Sequence, residues 1–177
     1  MSSASVFIDD ISLKYLTIAN LMKSVVGSTA NVIADVNIVQ LQGTHVGMVL
    51  NLDSATTPQN FVICYIRTQA GGGATTASVV LDKAVWDGSK IVYSNVITGN
   101  VAYVAEAQLR VVKDGTSYWV FYNNIAVGTV GTVSDATIIG NTLHGLFSTH
   151  PLNSLTRFMV RARGNENQYA ILDNYLK

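Results

Sequence analysis

The sequence of 177 residues lacks several features that would assign it to a common class of protein. It has a single cysteine, Cys64, so no disulfide can form within the chain. Lys and Arg total 11, as do Asp and Glu, so no basic surface for nucleic acid or anionic lipid is expected. No apolar run reaches the roughly eighteen residues that span a membrane, and Met1 to Ser5 lack the basic residues of a signal peptide. We therefore expect a protein made in the cytoplasm, without membrane insertion and without a nucleic-acid partner.

Charge is also scarce, because Asp, Glu, Lys and Arg make up 12% of the chain against roughly 25% in ordinary soluble domains. Apolar residues make up 49%, and the mean hydropathy is +0.30. A free monomer with so few charges and no net charge would tend to associate. We interpret this composition as a surface covered by copies of the chain or by other proteins. A neutral domain rich in Ser, Thr, Asn and Gly is the alternative.

Short β-forming runs bounded by Gly, Asn, Asp, Ser or Pro fill most of the chain. Parallel pairing would need helical crossovers, which the pattern does not contain, so we predict an all-β antiparallel sandwich with one short N-terminal helical segment at most. No internal repeat of fixed period occurs, which argues against propellers and solenoids. The predicted strands are 6–10, 32–41, 45–52, 61–67, 78–85, 90–97, 108–113, 117–122, 125–130, 143–148, 156–163 and 168–175.

One stretch near the N-terminus has helical periodicity instead, and Gly27 offers it a stop. The predicted helix is too short to be stable alone. Its apolar face therefore either closes one end of the domain or docks on a neighbouring subunit as an assembly arm. We divide the chain into this N-terminal arm, residues 1–29, and a β-sandwich domain, residues 30–177. The apolar positions with the spacing of one helix face are Ile18, Leu21, Met22, Val25 and Val26.

The stretch 108–128 predicts a three-stranded meander with two-residue turns at Asp114-Gly115 and Asn123-Asn124. Pairing through these turns sets Arg110 opposite Trp119, and Trp119 opposite Gly128. Because side chains alternate across a strand, one face is predicted to be buried and the other to be open. The buried set is Leu109, Val111, Tyr118, Val120, Tyr122, Ile125 and Val127, and the open set is Arg110, Val112, Trp119, Phe121, Ala126 and Gly128.

The open face of the meander carries the candidate binding residues Arg110, Trp119 and Phe121. Two aromatic rings beside small residues can stack on a sugar ring or accept a side chain of a partner. Alternatively, loops of the same chain cover this face, with Arg110 stacked on Trp119 as a cation–π pair. The sequence leaves these alternatives open.

Three stretches carry a resemblance to a known family. Residues 109–118 contain a basic-Asp-Gly turn followed by a Tyr, residues 121–128 contain an Asn-Asn turn, and residues 141–148 end in Gly-Leu-Phe-Ser. They resemble the concanavalin A-like, laminin-G-like jelly-roll domains, in the form found in bacteriophage virion proteins, where the second turn is usually Asn-Gly. Residues 45–50, 58–62 and 171–175 are also similar to this family. The resemblance covers roughly residues 30–177 and implies a jelly-roll fold.

Some enzymes of this jelly-roll class cleave β-glucans with a Glu-x-Asp-x-Glu strand, because retaining hydrolysis needs two carboxyls about 5 Å apart. This chain has two glutamates, Glu106 and Glu166, and neither has an acidic residue at i+2 or i+4. Three histidines, at positions 45, 144 and 150, show no zinc-ligand spacing. We therefore expect that the protein is not an enzyme and has no catalytic residues.

The resemblance also implies that the first and last strands are neighbours, which would bring Asp9, Asp10 and Asp173 together with Asn174. Relatives of this fold often hold Ca²⁺, which takes six to eight oxygen ligands from carboxylates, carbonyls and water. Asp and Asn clusters usually make turns, so the prediction is no cofactor, with a calcium site as the alternative.

Together, the composition and the resemblance lead to two functional expectations. The first is a non-catalytic structural protein of a phage particle, such as a capsid decoration, head-fibre or tail-associated protein, located in the virion and bound to its own copies and to other virion proteins. The second is a carbohydrate-binding module that attaches to host glycans through Arg110, Trp119 and Phe121.

Overall fold

The computed structural model describes residues 6–8, 26–69 and 72–163, with only the backbone for the first of these ranges. Within these ranges the chain forms twelve strands and one helical turn. They are β1 (Val6–Ile8), β2 (Val26–Gly27), β3 (Val32–Val39), β4 (His45–Leu52), β5 (Phe61–Arg67), β6 (Thr76–Trp86), β7 (Ile91–Ala102), β8 (Glu106–Asp114), β9 (Ser117–Tyr122), β10 (Ile125–Thr132), α1 (Ala136–Ile139), β11 (Leu143–Ser148) and β12 (Ser154–Ala162).

The strands form two six-stranded antiparallel sheets. Sheet A has the order β1-β12-β3-β8-β9-β10, and sheet B has the order β2-β11-β4-β5-β6-β7. β1 and β2 come from the segment that the sequence predicts to be an arm, yet they pair with β12 and β11. The predicted all-β antiparallel sandwich is confirmed.

One core lies between the sheets, because alternate residues of each strand point inward. Val36, Leu109 and Val120 of sheet A and Met48 and Leu81 of sheet B are at most 2% exposed. Each such side chain stabilises the fold by about 1.5 to 3 kcal/mol relative to an exposed one. The shared core explains why the sheets stay stacked.

The first turn of the meander differs from its prediction. Asp114 pairs with Ser117, so the turn residues are Gly115 and Thr116, and Arg110 lies opposite Phe121 rather than Trp119. Gly115 has a φ of 57°, which suits the first central position of a type II′ turn. The Oδ1 atom of Asn31 accepts a hydrogen bond from the Gly115 N–H at 3.0 Å, which holds this turn in place.

The second turn is confirmed at Asn123-Asn124, where φ values of 49° and 65° match a type I′ turn. Beyond Val127 the register shifts, and Gly131 pairs with Tyr118, so Trp119 does not lie opposite Gly128 as predicted. Glycines make this irregularity feasible, because a Cβ at position 131 would lie 2.5 Å from a Val96 side-chain atom of sheet B.

The predicted buried face of the meander is correct except at one position. Ile125 is 71% exposed, whereas the other six predicted residues are buried. Ile125 directly follows the second turn, beyond the edge of the area that the two sheets cover. Alternation therefore predicts the direction of its side chain but not the limit of the core.

The predicted helix at residues 18–26 falls mostly outside the described residues, as do Ile18, Leu21, Met22 and Val25. Its last position is described, and there the prediction is wrong, because Val26 pairs with His144 in β2. Helix α1 has no counterpart in the prediction. Asp135 caps its N-terminus with a carboxylate that accepts a hydrogen bond from the Thr137 N–H, and four residues are too few to show a helical period.

A buried polar network closes one end of the sandwich. The Tyr118 hydroxyl donates to Asn51 Oδ1 at 3.0 Å, and the Asn51 N–H donates to His144 Nδ1 at 3.4 Å. With Nδ1 accepting, His144 Nε2 carries the proton and donates to the Thr29 carbonyl at 3.0 Å. The buried Lys113 ammonium donates to the Ile139 carbonyl at 2.7 Å. These bonds tie the loop before β3 to both sheets and to α1.

Candidate functional site

Arg110, Trp119 and Phe121 share the face of sheet A that points away from the core, and all three are half-buried. Arg110 does not stand opposite Trp119. Its Nε donates to Asp35 Oδ1 at 2.5 Å, and Arg161 donates to the other oxygen of the same carboxylate at 2.8 Å. The Asp35 side chain is 5% exposed. The predicted pairing of Arg110 with Trp119 is therefore wrong, because the arginine is held by a carboxylate of β3.

Sheet B has a second set of side chains on the face turned away from sheet A, which we call the outer face of sheet B. Strand register places these residues in rows across β4 to β7. One row is His45, Arg67, Ser78 and Asn100; the next contains Tyr65, Val80 and Thr98; then Val49, Ile63, Asp82 and Asn95; then Phe61, Ala84 and Tyr93; and last Trp86 and Ile91.

Part of this outer face is a small apolar cluster separate from the main core. Phe61 and Val49 are fully buried there, and Tyr65 and Ile91 pack against the cluster. Phe61 also contacts Tyr93 edge to face, with ring centroids 6.4 Å apart. The remaining members are Leu52, Ile63, Ala84, Phe147 and the partly buried Leu143. The outer face of sheet B is therefore packed rather than merely solvated.

A chain of hydrogen bonds through Tyr65, Asp82 and Asn95 crosses the outer face beside this cluster. Tyr65 Oη donates to Asp82 Oδ2 at 3.0 Å, and Asn95 Nδ2 donates to Asp82 Oδ1 at 2.9 Å. Thr98 Oγ1 lies 2.7 Å from the same Asn95 nitrogen. Burial and the nearby Asp82 carboxylate raise the pKa of Tyr65 to about 12, so its hydroxyl remains protonated. Both carboxylate oxygens of Asp82 accept hydrogen bonds, which fixes the orientation of all three side chains in this hydrogen-bond chain.

Aromatic contacts orient Tyr65, at one end of this hydrogen-bond chain. The His45 and Tyr65 rings stack with centroids 5.3 Å apart and planes at 26°, and Phe147 meets Tyr65 at 6.1 Å. Gly47 lies opposite Tyr65 in β4, and a Cβ there would fall 2.1 Å from the Cys64 carbonyl oxygen. Burial, and then the positive charge of Arg67, lower the pKa of His45. The imidazole is therefore a neutral ring at pH 7.

Arg67 ends β5 at the margin of the outer face, next to a cleft of about 280 Å³. Its guanidinium is exposed and forms no ion pair or hydrogen bond within the described residues. The cleft is lined by Arg67, Thr68, Gln69, Thr76, Ala77 and Ser78.

The predicted calcium ligands Asp9, Asp10 and Asp173 lie outside the described residues. Elsewhere, in the part of the chain that the structure describes, no group of three or more His, Cys, Asp or Glu residues is placed to hold a metal. Cys64 is buried, and burial raises the pKa of its thiol. In the same described part, no helix is long and apolar enough to cross a bilayer.

The sequence prediction missed the outer face of sheet B. Tyr65, Asp82 and Asn95 belong to three strands, and each lies at a position where the alternation points away from the main core. That alternation was the available signal. It marks these residues as outward-facing but does not show that they share one surface.

No protein-family model matches the sequence, and neither does any curated protein. Among solved structures, a functionally unknown protein from Saccharomyces cerevisiae matches with a TM-score of 0.52 at 12% identity, over 89% of this chain and 86% of that one. A β-fructofuranosidase from Aspergillus kawachii, complexed with glycerol, matches with a TM-score of 0.55 at 14% identity, over 92% of this chain but 28% of that one. Sheep galectin-11 matches with a TM-score of 0.49 at 14% identity, over 81% and 99% of the two chains.

Proposed function

We propose that the protein binds carbohydrate through the outer face of sheet B. The domain has the concanavalin A-like jelly-roll fold, and a fold alone does not assign a function. The observation that carries the proposal is that the exposed rings of Tyr93 and Trp86 lie on the same face as the hydrogen-bond chain of Tyr65, Asp82 and Asn95. Sugars present apolar C–H surfaces and polar hydroxyl edges, and this face offers a partner to each.

The aromatic end of the face consists of Tyr93 and Trp86, which are 52% and 38% exposed. Their rows are adjacent in the register, since Ala84 pairs with Tyr93 and Trp86 with Ile91. The contact between Phe61 and Tyr93 supports the Tyr93 ring from one side. A ring that is held but still exposed provides apolar area at little entropic cost, which suits stacking on a sugar.

The hydrogen-bonding groups next to these rings are held in place by bonds within the protein. Asn95 lies two residues from Tyr93 on the same face of β7, and its amide is held by Asp82 and Thr98. Asn95 remains exposed despite these bonds, as does Asn100 at the end of the sheet. Because these groups need no reordering on binding, hydrogen bonds to sugar hydroxyls would form at a reduced entropic cost.

Binding to an oligosaccharide array, followed by calorimetry on the best ligand, tests this proposal. Tyr93→Ala should weaken binding by about tenfold or more, because it removes the exposed ring. Trp119→Ala is the matched control on the outer face of sheet A and should bind as the wild type does. Loss of binding in Trp119→Ala alone would transfer the site to Arg110, Trp119 and Phe121, and an array without any ligand would refute carbohydrate binding.

As a second candidate, we propose a structural role in an assembly, such as a virus particle. The supporting observation is exposed apolar surface on a chain with 12% charged residues. On the edge strand β10, Ile125 and Val130 are 71% and 50% exposed. The expectations that the protein is not an enzyme and that it resides in a virion remain predictions.

A further inference from the structure

Arg67 occupies a distinctive place on the outer face of sheet B. Its Cα partners are His45 on one side and Ser78 on the other, and Ser78 in turn pairs with Asn100. The guanidinium therefore lies in a row with an imidazole, a hydroxyl and an amide. The adjacent row contains Tyr65, and the His45 ring stacks on the Tyr65 ring across the two rows.

Within the described ranges of the chain, no carboxylate neutralises the positive charge of Arg67. Asp82 is the carboxylate that the described part of the face contains, and its two oxygens accept from Tyr65 and Asn95. The ion pairs within the described residues involve other cations, namely Lys83, Arg110, Arg161 and Arg163. An exposed guanidinium that has no ion pair or hydrogen bond within the described residues, on a chain with few charges, favours an anion as its partner.

The cleft beside Arg67 supplies further hydrogen-bonding groups. Thr68 Oγ1 accepts a hydrogen bond from the Gly43 N–H at 2.8 Å, which positions the hydroxyl oxygen and leaves its proton to be donated. Ser78 donates to Asn100 Oδ1 at 3.0 Å, so the side of the cleft nearest the sheet is also ordered. With a volume of about 280 Å³, the cleft is suited to one substituted sugar unit rather than to a long chain.

We propose that the saccharide bound on the outer face of sheet B is acidic, with a carboxylate or sulfate group paired to Arg67 and accepting a hydrogen bond from Thr68. This inference rests on the proposed carbohydrate binding. In this arrangement the sugar that bears the anion occupies the cleft, and the stacked rings of His45 and Tyr65 contact its neighbour. A carboxylate and a sulfate each present two oxygens that can accept parallel hydrogen bonds from one guanidinium.

The test compares oligosaccharides that differ only in their anion. One pair is an oligogalacturonide and its methyl ester, and the other is a sulfated galactan oligosaccharide and its desulfated form. Calorimetry at low salt should give about tenfold tighter binding for the acidic member of at least one pair, with the preference falling as salt is added. The pair that shows the preference identifies the anion as carboxylate or sulfate.

Arg67→Gln should remove this preference while retaining the binding of the neutral member. Lys90→Gln, which removes an exposed cation from the turn between β6 and β7, should keep it. Equal affinities within both pairs, or a preference that survives Arg67→Gln, would overturn the acidic ligand and leave carbohydrate binding intact. Failure of every neutral and acidic oligosaccharide to bind would overturn both proposals.

Discussion

His144 is a fully buried residue whose titration links folding to pH. Burial, and to a lesser degree the charge of Lys113, lower its pKa to about 4 from an ordinary value of 6.5. The hydrogen bond to the Thr29 carbonyl acts in the opposite direction but is outweighed. Between these two pH values the unfolded chain binds a proton that the folded chain does not. The free energy of unfolding therefore rises with pH across this window.

We expect acidification from pH 7 to pH 4 to remove about 3 kcal/mol of stability through His144, at roughly 1.4 kcal/mol for each pH unit between the two values. Urea unfolding at several pH values measures this loss. His144→Gln should flatten the dependence between pH 4 and 6.5. His150→Gln, on a loop, is the control and should leave it unchanged. A wild-type stability that does not vary over this range would contradict the prediction.

At the level of elements, the turn between β9 and β10 tests how local conformation contributes to stability. Both of its residues have positive φ, and Asn123 Oδ1 also accepts a hydrogen bond from the Gln108 N–H at 2.7 Å. Asn123 therefore has a second role, whereas no side-chain hydrogen bond is described for Asn124. Asn124→Gly should stabilise the protein by up to about 1 kcal/mol, because glycine adopts positive φ without steric cost.

Urea unfolding of the Asn124 variants measures this effect. Asn124→Ala provides the opposite test and should destabilise by about 1 kcal/mol, since alanine lacks the short polar side chain that lets asparagine adopt a φ of 65°. If alanine and glycine at this position gave the same stability, the turn would not be strained as described.

Local pattern predicted most of the elements and failed where the sheets meet. β4, β5, β9 and β11 begin and end at the predicted residues, because alternation and turn residues are properties of short stretches. The register of β10 was predicted correctly as far as Val127 and incorrectly beyond it, because the shift there depends on the close approach of Gly131 to Val96 and Ile97 in the other sheet. No pattern within β10 reports that contact.

For the molecule as a whole, the composition predicts self-association. The chain has no net charge at pH 7, and Ile125 and Val130 lie exposed on the edge strand of sheet A. An apolar edge strand favours pairing with another chain. We expect dimers or larger species in native mass spectrometry at concentrations of about 100 µM, where a weak interface with a micromolar Kd is mostly occupied.

The double variant Ile125→Asp with Val130→Asp should be monomeric at the same concentration, because both charges would be buried in the interface. Leu152→Asp is the control, since Leu152 is equally exposed but lies on a loop outside the sheets. A monomeric wild type would count against both self-association and the structural role in a particle.

The candidate site was predicted only in part. Trp119 and Phe121 were placed on the correct side of the meander, but the partner of Arg110 was missed because Asp35 lies 75 residues earlier in the chain. The hydrogen-bond chain of Tyr65, Asp82 and Asn95 was missed for the same reason. Each of these side chains has its hydrogen-bond partner on another strand, and periodicity within one strand does not show which strand lies beside it.

By itself, the sequence determined the class of the fold, the positions of most strands and, in the meander, which side of each strand faces the core. These follow from alternation and from turn residues, which act over a few positions. The tertiary structure alone decided the order of strands in each sheet, and with it the hydrogen-bond chain of Tyr65, Asp82 and Asn95 on the outer face of sheet B and the pairing of Arg110 with Asp35 on that of sheet A. That order depends on burying the apolar faces of all strands together, which is a property of the whole chain rather than of any segment.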